Sequence, residues 1–179
     1  MAGDGSLSRV LSPARFLETA ESEWERARRY DRPLCVLMVQ VDGLREIARS
    51  AGARRCEVAM AEVAACVSAG LRKIDTRGRL GPNEFGLLLP ETRLTQAELV
   101  AVRLQDSVED LEIEMRGGTK KLRANIGLAS LSPRMQNAKV FLMTACSELR
   151  KARTSGSGGL SVAKPDEIMM TTPRSGELH

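Results

Sequence analysis

The chain has 179 residues, 42% apolar and 28% charged, with a net charge of +4 and a pI near 9.1. This is enough for one domain with a full hydrophobic core, and the basic balance favours anionic partners without selecting among them. The longest apolar runs, such as Leu34–Val39, fall far short of the ~20 residues of a spanning helix, and the single histidine, His179, weighs against histidine-based triads and zinc sites.

In chain order, Ser12-Pro13 reads as a helix start with proline at the first helical position. Phe16, Leu17, Ala20, Trp24 and Ala27 recur at helical spacing. Asp31-Arg32-Pro33 ends this helix. Leu34–Val41 is almost continuously apolar, as in a strand covered on both faces. A short helix is expected over Leu44–Ser50, and a longer one over about Arg55–Lys73 with Val58, Met60, Ala61, Ala64, Val67 and Leu71 on its buried side. Two strands, DTRGRL and EFGLLLP, flank a Gly81-Pro82-Asn83 turn and form a hairpin.

Thr95 is placed to cap a helix running to about Asp110. A second hairpin is expected from LEIEMR, Gly117-Gly118 and TKKLRANIGLA, its first arm alternating Leu111, Ile113, Met115 with Glu112, Glu114, Arg116. Asn137 to about Arg153 is a final helix, and LSVA a closing strand beyond TSGSGG. Residues 1–6 and 164–179 read as flexible ends around a single domain, 7–163. The four cysteines, Cys35, Cys56, Cys66 and Cys146, have no C-x-x-C spacing and read as reduced. The N-terminus lacks an apolar signal core, so a cytoplasmic chain is expected, with no membrane insertion.

Four segments in order, ARRYDRPLCVLMVQVD, RLGPNEFGLLLPET, RANIGLAS and ACSELRKARTSG, resemble the GGDEF domain family, the diguanylate cyclases. The resemblance implies an α/β fold with a central, mostly antiparallel five-stranded sheet flanked by helices. It also implies chemistry on GTP, held by two Mg²⁺ ions and condensed to cyclic di-GMP. Mg²⁺ requires hard oxygen ligands, and close approach of backbone to a nucleotide favours glycine.

The sequence departs from the family pattern where that chemistry lies. Gln40 stands at the first aspartate of the D-x-D element, and Asp42 at the second. In Gly81-Pro82-Asn83-Glu84-Phe85, proline replaces the second glycine and a neutral amide replaces a metal carboxylate. Ala48 and Glu57 fall on the family's guanine-binding asparagine and aspartate, and Arg153 on its phosphate lysine. A degenerate site, no cofactor and a chain that is not an enzyme are therefore expected.

The family's inhibitory product site is an R-x-x-D five residues before the signature. Arg72-Lys73-Ile74-Asp75, then Thr76 to Leu80, then Gly81, match that offset, and Arg103 falls on the family's second arginine. Guanidinium forks suit the guanine O6/N7 edge and phosphates, and a carboxylate suits guanine N1–H and N2–H. The bare motif is cheap, since it recurs at Arg28–Asp31 and Arg103–Asp106. The sequence thus points to a cyclic di-GMP receptor that signals to an unidentified protein partner. It leaves open a ligand-linked dimer, a scaffold without nucleotide or a weak cyclase. The cluster Arg26, Arg28, Arg29, Arg32 has no interleaved aromatics, so no nucleic-acid partner is expected.

Overall fold

The computed structural model describes residues 10–115 and 117–164. The terminal stretches expected to be flexible lie outside the described residues, apart from Lys164. The elements are α1 (Pro13–Arg29), β1 (Leu34–Asp42), α2 (Leu44–Ala51), α3 (Ala53–Ala69), β2 (Thr76–Gly81), β3 (Glu84–Pro90), α4 (Leu94–Glu109), β4 (Glu112–Met115), β5 (Gly118–Lys121), β6 (Arg123–Ser130), α5 (Ala138–Thr154) and β7 (Leu160–Val162).

Five strands form one sheet in the order β2-β3-β1-β6-β7, antiparallel throughout except for the parallel β6–β7 pair. The α/β expectation holds. β1 is central and buried on both faces, which is why its run is apolar without alternation. Cys35, Leu37, Val39 and Val41 face a core completed by α2, α3 and α4. Val36 and Met38 face a second core under α1 and α5, centred on Phe16 and Phe141. The sheet therefore separates two hydrophobic layers, and its row ends carry the polar residues. Close packing is sharpest at Gly127, where an added Cβ would lie 2.1 Å from the Leu149 nitrogen of α5. Helix and strand backbones meet there because the side chain is missing.

Several local expectations are corrected. The long helix stops at Ala69, capped by Gly70, so Arg72 and Asp75 lie beyond it in a turn. Its buried side is Ala59, Met60, Val63 and Val67, whereas Val58 and Ala61 are exposed. Leu17 on α1 is also exposed. Helix α4 is entered from Arg93, whose N–H donates to the Gln96 side chain at 2.9 Å, and Thr95 sits inside the first turn. The second hairpin is shorter than expected. β5 alone returns along β4, and Arg123–Ser130 leaves it to join the main sheet. Ile113 is buried between exposed Glu112 and Glu114, and Arg116 lies outside the described residues.

Candidate functional site

The β2–β3 hairpin turns over two residues, Pro82 and Asn83, with a bulge between Arg79 and Gly81. None of Gly81, Pro82 and Asn83 has positive φ, so proline fits without strain. Arg79 clamps the turn from outside, donating to the Gly81 and Pro82 carbonyls at 3.3 and 3.1 Å. Asn83 extends the sheet: its carbonyl accepts from the Val41 N–H at 2.9 Å, and its side-chain nitrogen donates to the Val41 carbonyl at 3.0 Å.

Across the three central strands, Glu84, Gln40 and Asn125 are in register, opposite one another. Directly opposed residues share a face, and alternation from Met38 puts this row on the α1/α5 face. Phe85, one residue on, is buried in the other core. Gln40 Oε1 is buried and has no hydrogen-bond partner. Asn125, 0% exposed, donates to Asp42 Oδ2 at 2.7 Å and accepts from the N–H groups of Gly158 and Gly159 at 2.9 and 3.1 Å. Ser157 also donates to Asp42 Oδ2, at 3.1 Å. Sequence reasoning missed Asn125 and Ser157 as site residues. The one available signal was a polar side chain inside the otherwise apolar β6 run. Ala48 lies on α2, with Glu57 exposed on α3 and Arg153 exposed in the last turn of α5.

The fit of this row to two Mg²⁺ ions can be tested on its donors. Among the described residues there is no group of three or more His, Cys, Asp or Glu side chains able to hold a metal ion. Asp42 already accepts two hydrogen bonds on one oxygen, and Asn83 spends its amide nitrogen on the Val41 carbonyl. Gln40, Asn83 and Asn125 offer neutral amides where Mg²⁺ favours carboxylate oxygens, which leaves Asp42 and Glu84 as the carboxylates of this row and its edge.

The second predicted site is a turn between α3 and β2. The Arg72 N–H donates to Asp75 Oδ2 at 2.8 Å, and the Asp75 N–H donates to the Arg72 carbonyl at 3.0 Å. The Arg72 guanidinium reaches Asp75 Oδ1 at 3.1 Å, the Pro90 carbonyl at 3.1 Å and the Thr92 hydroxyl. The Asp75 side chain is only 3% exposed, whereas that of Arg72 is 54% exposed. Arg103 does not join this cluster directly. It lies on α4, donates Nε–H to the Leu99 carbonyl at 3.3 Å, and lines a cleft of about 220 Å³ with Gly70 and Leu71, the two residues before Arg72. Thr92 was not anticipated; it lies just past the end of β3, before α4, and is visible only once the hairpin is folded.

The sheet order β2-β3-β1-β6-β7, with the β2–β3 hairpin beside the end of β1, is that of a GGDEF-type α/β domain. The chain belongs to the GGDEF family: residues 5–158 match the family described as "Diguanylate cyclase, GGDEF domain". It is 28% identical over 131 residues to diguanylate cyclase A of Treponema denticola, covering 73% of this chain and 35% of that protein. It is 24% identical over 140 residues to the probable diguanylate cyclase DgcE of Escherichia coli, covering 78% of this chain and 13% of that one. The chain thus spans about a third or less of these relatives. The crystal structure of diguanylate cyclase SiaD in complex with its activator SiaC, from Pseudomonas aeruginosa, superposes with a TM-score of 0.78 at 28% identity, covering 85% of this chain and 58% of that one.

These relatives overturn one expectation. The chain was expected not to be an enzyme, but the proteins it matches are named diguanylate cyclases, and the family it matches carries the same description. Departures from the family's sequence pattern at Gln40, Pro82 and Asn83 do not by themselves make the chain a non-enzyme. Among the described residues, no helix is long and apolar enough to cross a membrane.

Proposed function

We propose that this domain serves cyclic di-GMP signalling by taking up the dinucleotide at Arg72, Asp75 and Arg103 and passing its occupancy to a protein partner. The observation that carries this reading is the Arg72–Asp75 turn, held at a fixed offset from the hairpin, with a half-exposed guanidinium beside the Arg103 cleft. Charge-assisted, forked bonds from arginine suit both the phosphates and the O6/N7 edge of guanine.

The resting geometry specifies a step that binding must include. Asp75 is covered by Arg72, so its carboxylate meets the N1–H and N2–H donors of guanine only after the guanidinium swings outward. That movement exchanges the Asp75 Oδ1, Pro90 and Thr92 contacts for contacts with the ligand. The backbone bond from the Arg72 N–H to Asp75 Oδ2 holds the carboxylate in place meanwhile.

The same closed pair favours a second reading, in which the R-x-x-D shapes the α3–β2 turn and the domain acts through protein contacts alone. Calorimetry with cyclic di-GMP decides between them. Binding at micromolar or tighter affinity is expected, weakened roughly ten- to a hundredfold by Arg72→Ala, corresponding to about 1.5–3 kcal/mol for a lost charge-assisted bond. Asp75→Ala should also relax the preference for guanine over adenine. Arg28→Ala, in a second R-x-x-D, should leave this binding unchanged. Micromolar binding that survives Arg72→Ala would place the ligand elsewhere, and no binding up to about millimolar ligand would favour the scaffold.

A further inference from the structure

A third group of arginines is assembled by the fold alone. Arg28 at the end of α1, Arg32 in the α1–β1 turn and Arg93 at the start of α4 line one cleft of about 410 Å³, with Pro33, Leu131 and Ser132 among its walls. Arg72, Asp75, Arg103 and the Gln40 row do not line it. From the sequence, the cluster holding Arg28 and Arg32 pointed to no nucleic-acid partner, and nothing in the sequence joins it to Arg93.

Arg28 is pre-ordered. Its guanidinium sits 5.1 Å from the centroid of the Trp24 ring, and Nη1 donates to the Met135 carbonyl at 2.7 Å. The cation–π contact and this one bond hold the guanidinium in place, leaving Nε and Nη2 as donors. Arg32 forms a loose, exposed ion pair with Glu91 at 3.7 Å, longer than a hydrogen bond, which an incoming anion can replace. Two carboxylates, Asp31 and Glu91, stand against the three guanidiniums. Among the described residues they are also the non-glycine ones with positive φ, at 50° and 52°. Left-handed backbone at non-glycine residues is uncommon and concentrates at ligand clamps and functional turns.

We infer that this cleft binds the phosphate ester of a small flat group, of the size of a nucleoside monophosphate. The guanidiniums supply forked, charge-assisted donors for a phosphate dianion. The Ser132 hydroxyl lies on the wall, and Pro33, Leu131 and Pro133 offer an apolar surface for a flat ring. The volume lies within the range of small-molecule sites.

The test is an amide and arginine-Nε NMR titration of the whole chain with GMP, and separately with guanosine, O-phosphoserine and inorganic phosphate. GMP should shift Arg93, Leu131 and Ser132 together with the Nε–H signals of Arg28 and Arg32. Its affinity should exceed that of guanosine, phosphoserine or phosphate alone, and should fall as salt rises. The exposed pair Arg32→Gln with Arg93→Gln should weaken GMP at least about tenfold at these reporters, while Arg72→Ala leaves them responsive. Shifts confined to Asp42–Glu84 or to Arg72–Asp75 would overturn the inference. So would an undiminished response in the double variant, phosphoserine binding as tightly as GMP, or no response up to about 10 mM GMP.

Discussion

Asn125→Ala removes the side chain that joins β6 to Asp42 and to the loop after α5. Three hydrogen bonds are lost: one given to the Asp42 carboxylate at 2.7 Å and two accepted from Gly158 and Gly159 at 2.9 and 3.1 Å. The bond to a carboxylate is worth about 1.5–3 kcal/mol and each neutral bond about 1 kcal/mol. Gly158 is exposed, so water recovers much of its share, and Ser157 still serves Asp42. The net loss is then about 2–4 kcal/mol, or about 5–12 °C in Tm for a domain of this size. Urea unfolding followed by circular dichroism measures the first quantity. Hydrogen exchange supplies a local readout, because the Ile126 N–H donates to the Gly159 carbonyl and should lose protection with the loop. A loss below about 1 kcal/mol, or unchanged protection at Gly158, Gly159 and Ile126, would show that this network does not hold the loop.

Gln40→Asp combined with Asn83→Asp restores two oxygen anions at the end of β1, and should raise Mg²⁺-dependent formation of cyclic di-GMP from GTP at least about tenfold over the natural chain in a turnover assay. Because Asn83 donates to the Val41 carbonyl, the same pair should cost about 1 kcal/mol of stability without metal, read by thermal unfolding. Burial pushes the Cys35 thiol up to about 11, above its ordinary 9.0. The folded state therefore holds this proton more tightly than the unfolded one. Its contribution is constant below pH 9 and is lost between 9 and about 11, at up to about 1.4 kcal/mol per pH unit; removal of that slope by Cys35→Ala, in urea titrations across this range, is the check. Gly127→Ala should destabilise by more than about 3 kcal/mol, because the new Cβ meets α5 backbone that cannot move as a side chain can; expression with an unchanged melting curve would contradict the close approach.

The sequence by itself determined β1, the β2–β3 hairpin turn and most of α1 and α5, because these rest on local chemistry. Ser12 and Pro13 start α1, Asn137 caps α5, and β1 is apolar because both of its faces are covered. The spacing of Arg72 and Asp75 from Gly81, and the neutral Gln40 and Asn83, are likewise read along the chain. Only the tertiary structure decided which groups meet. Gly70 ends α3 early, and this converts Arg72 and Asp75 from neighbours on a helix into a closed turn latched by Thr92 from the segment after β3. The register of three strands aligns Glu84, Gln40 and Asn125, and the loop behind α5 returns to satisfy Asn125. Arg93 reaches Arg28 and Arg32 for the same reason. Contacts between residues far apart in sequence depend on where elements stop and how strands are shifted, and a one-residue change in either moves a side chain to another face.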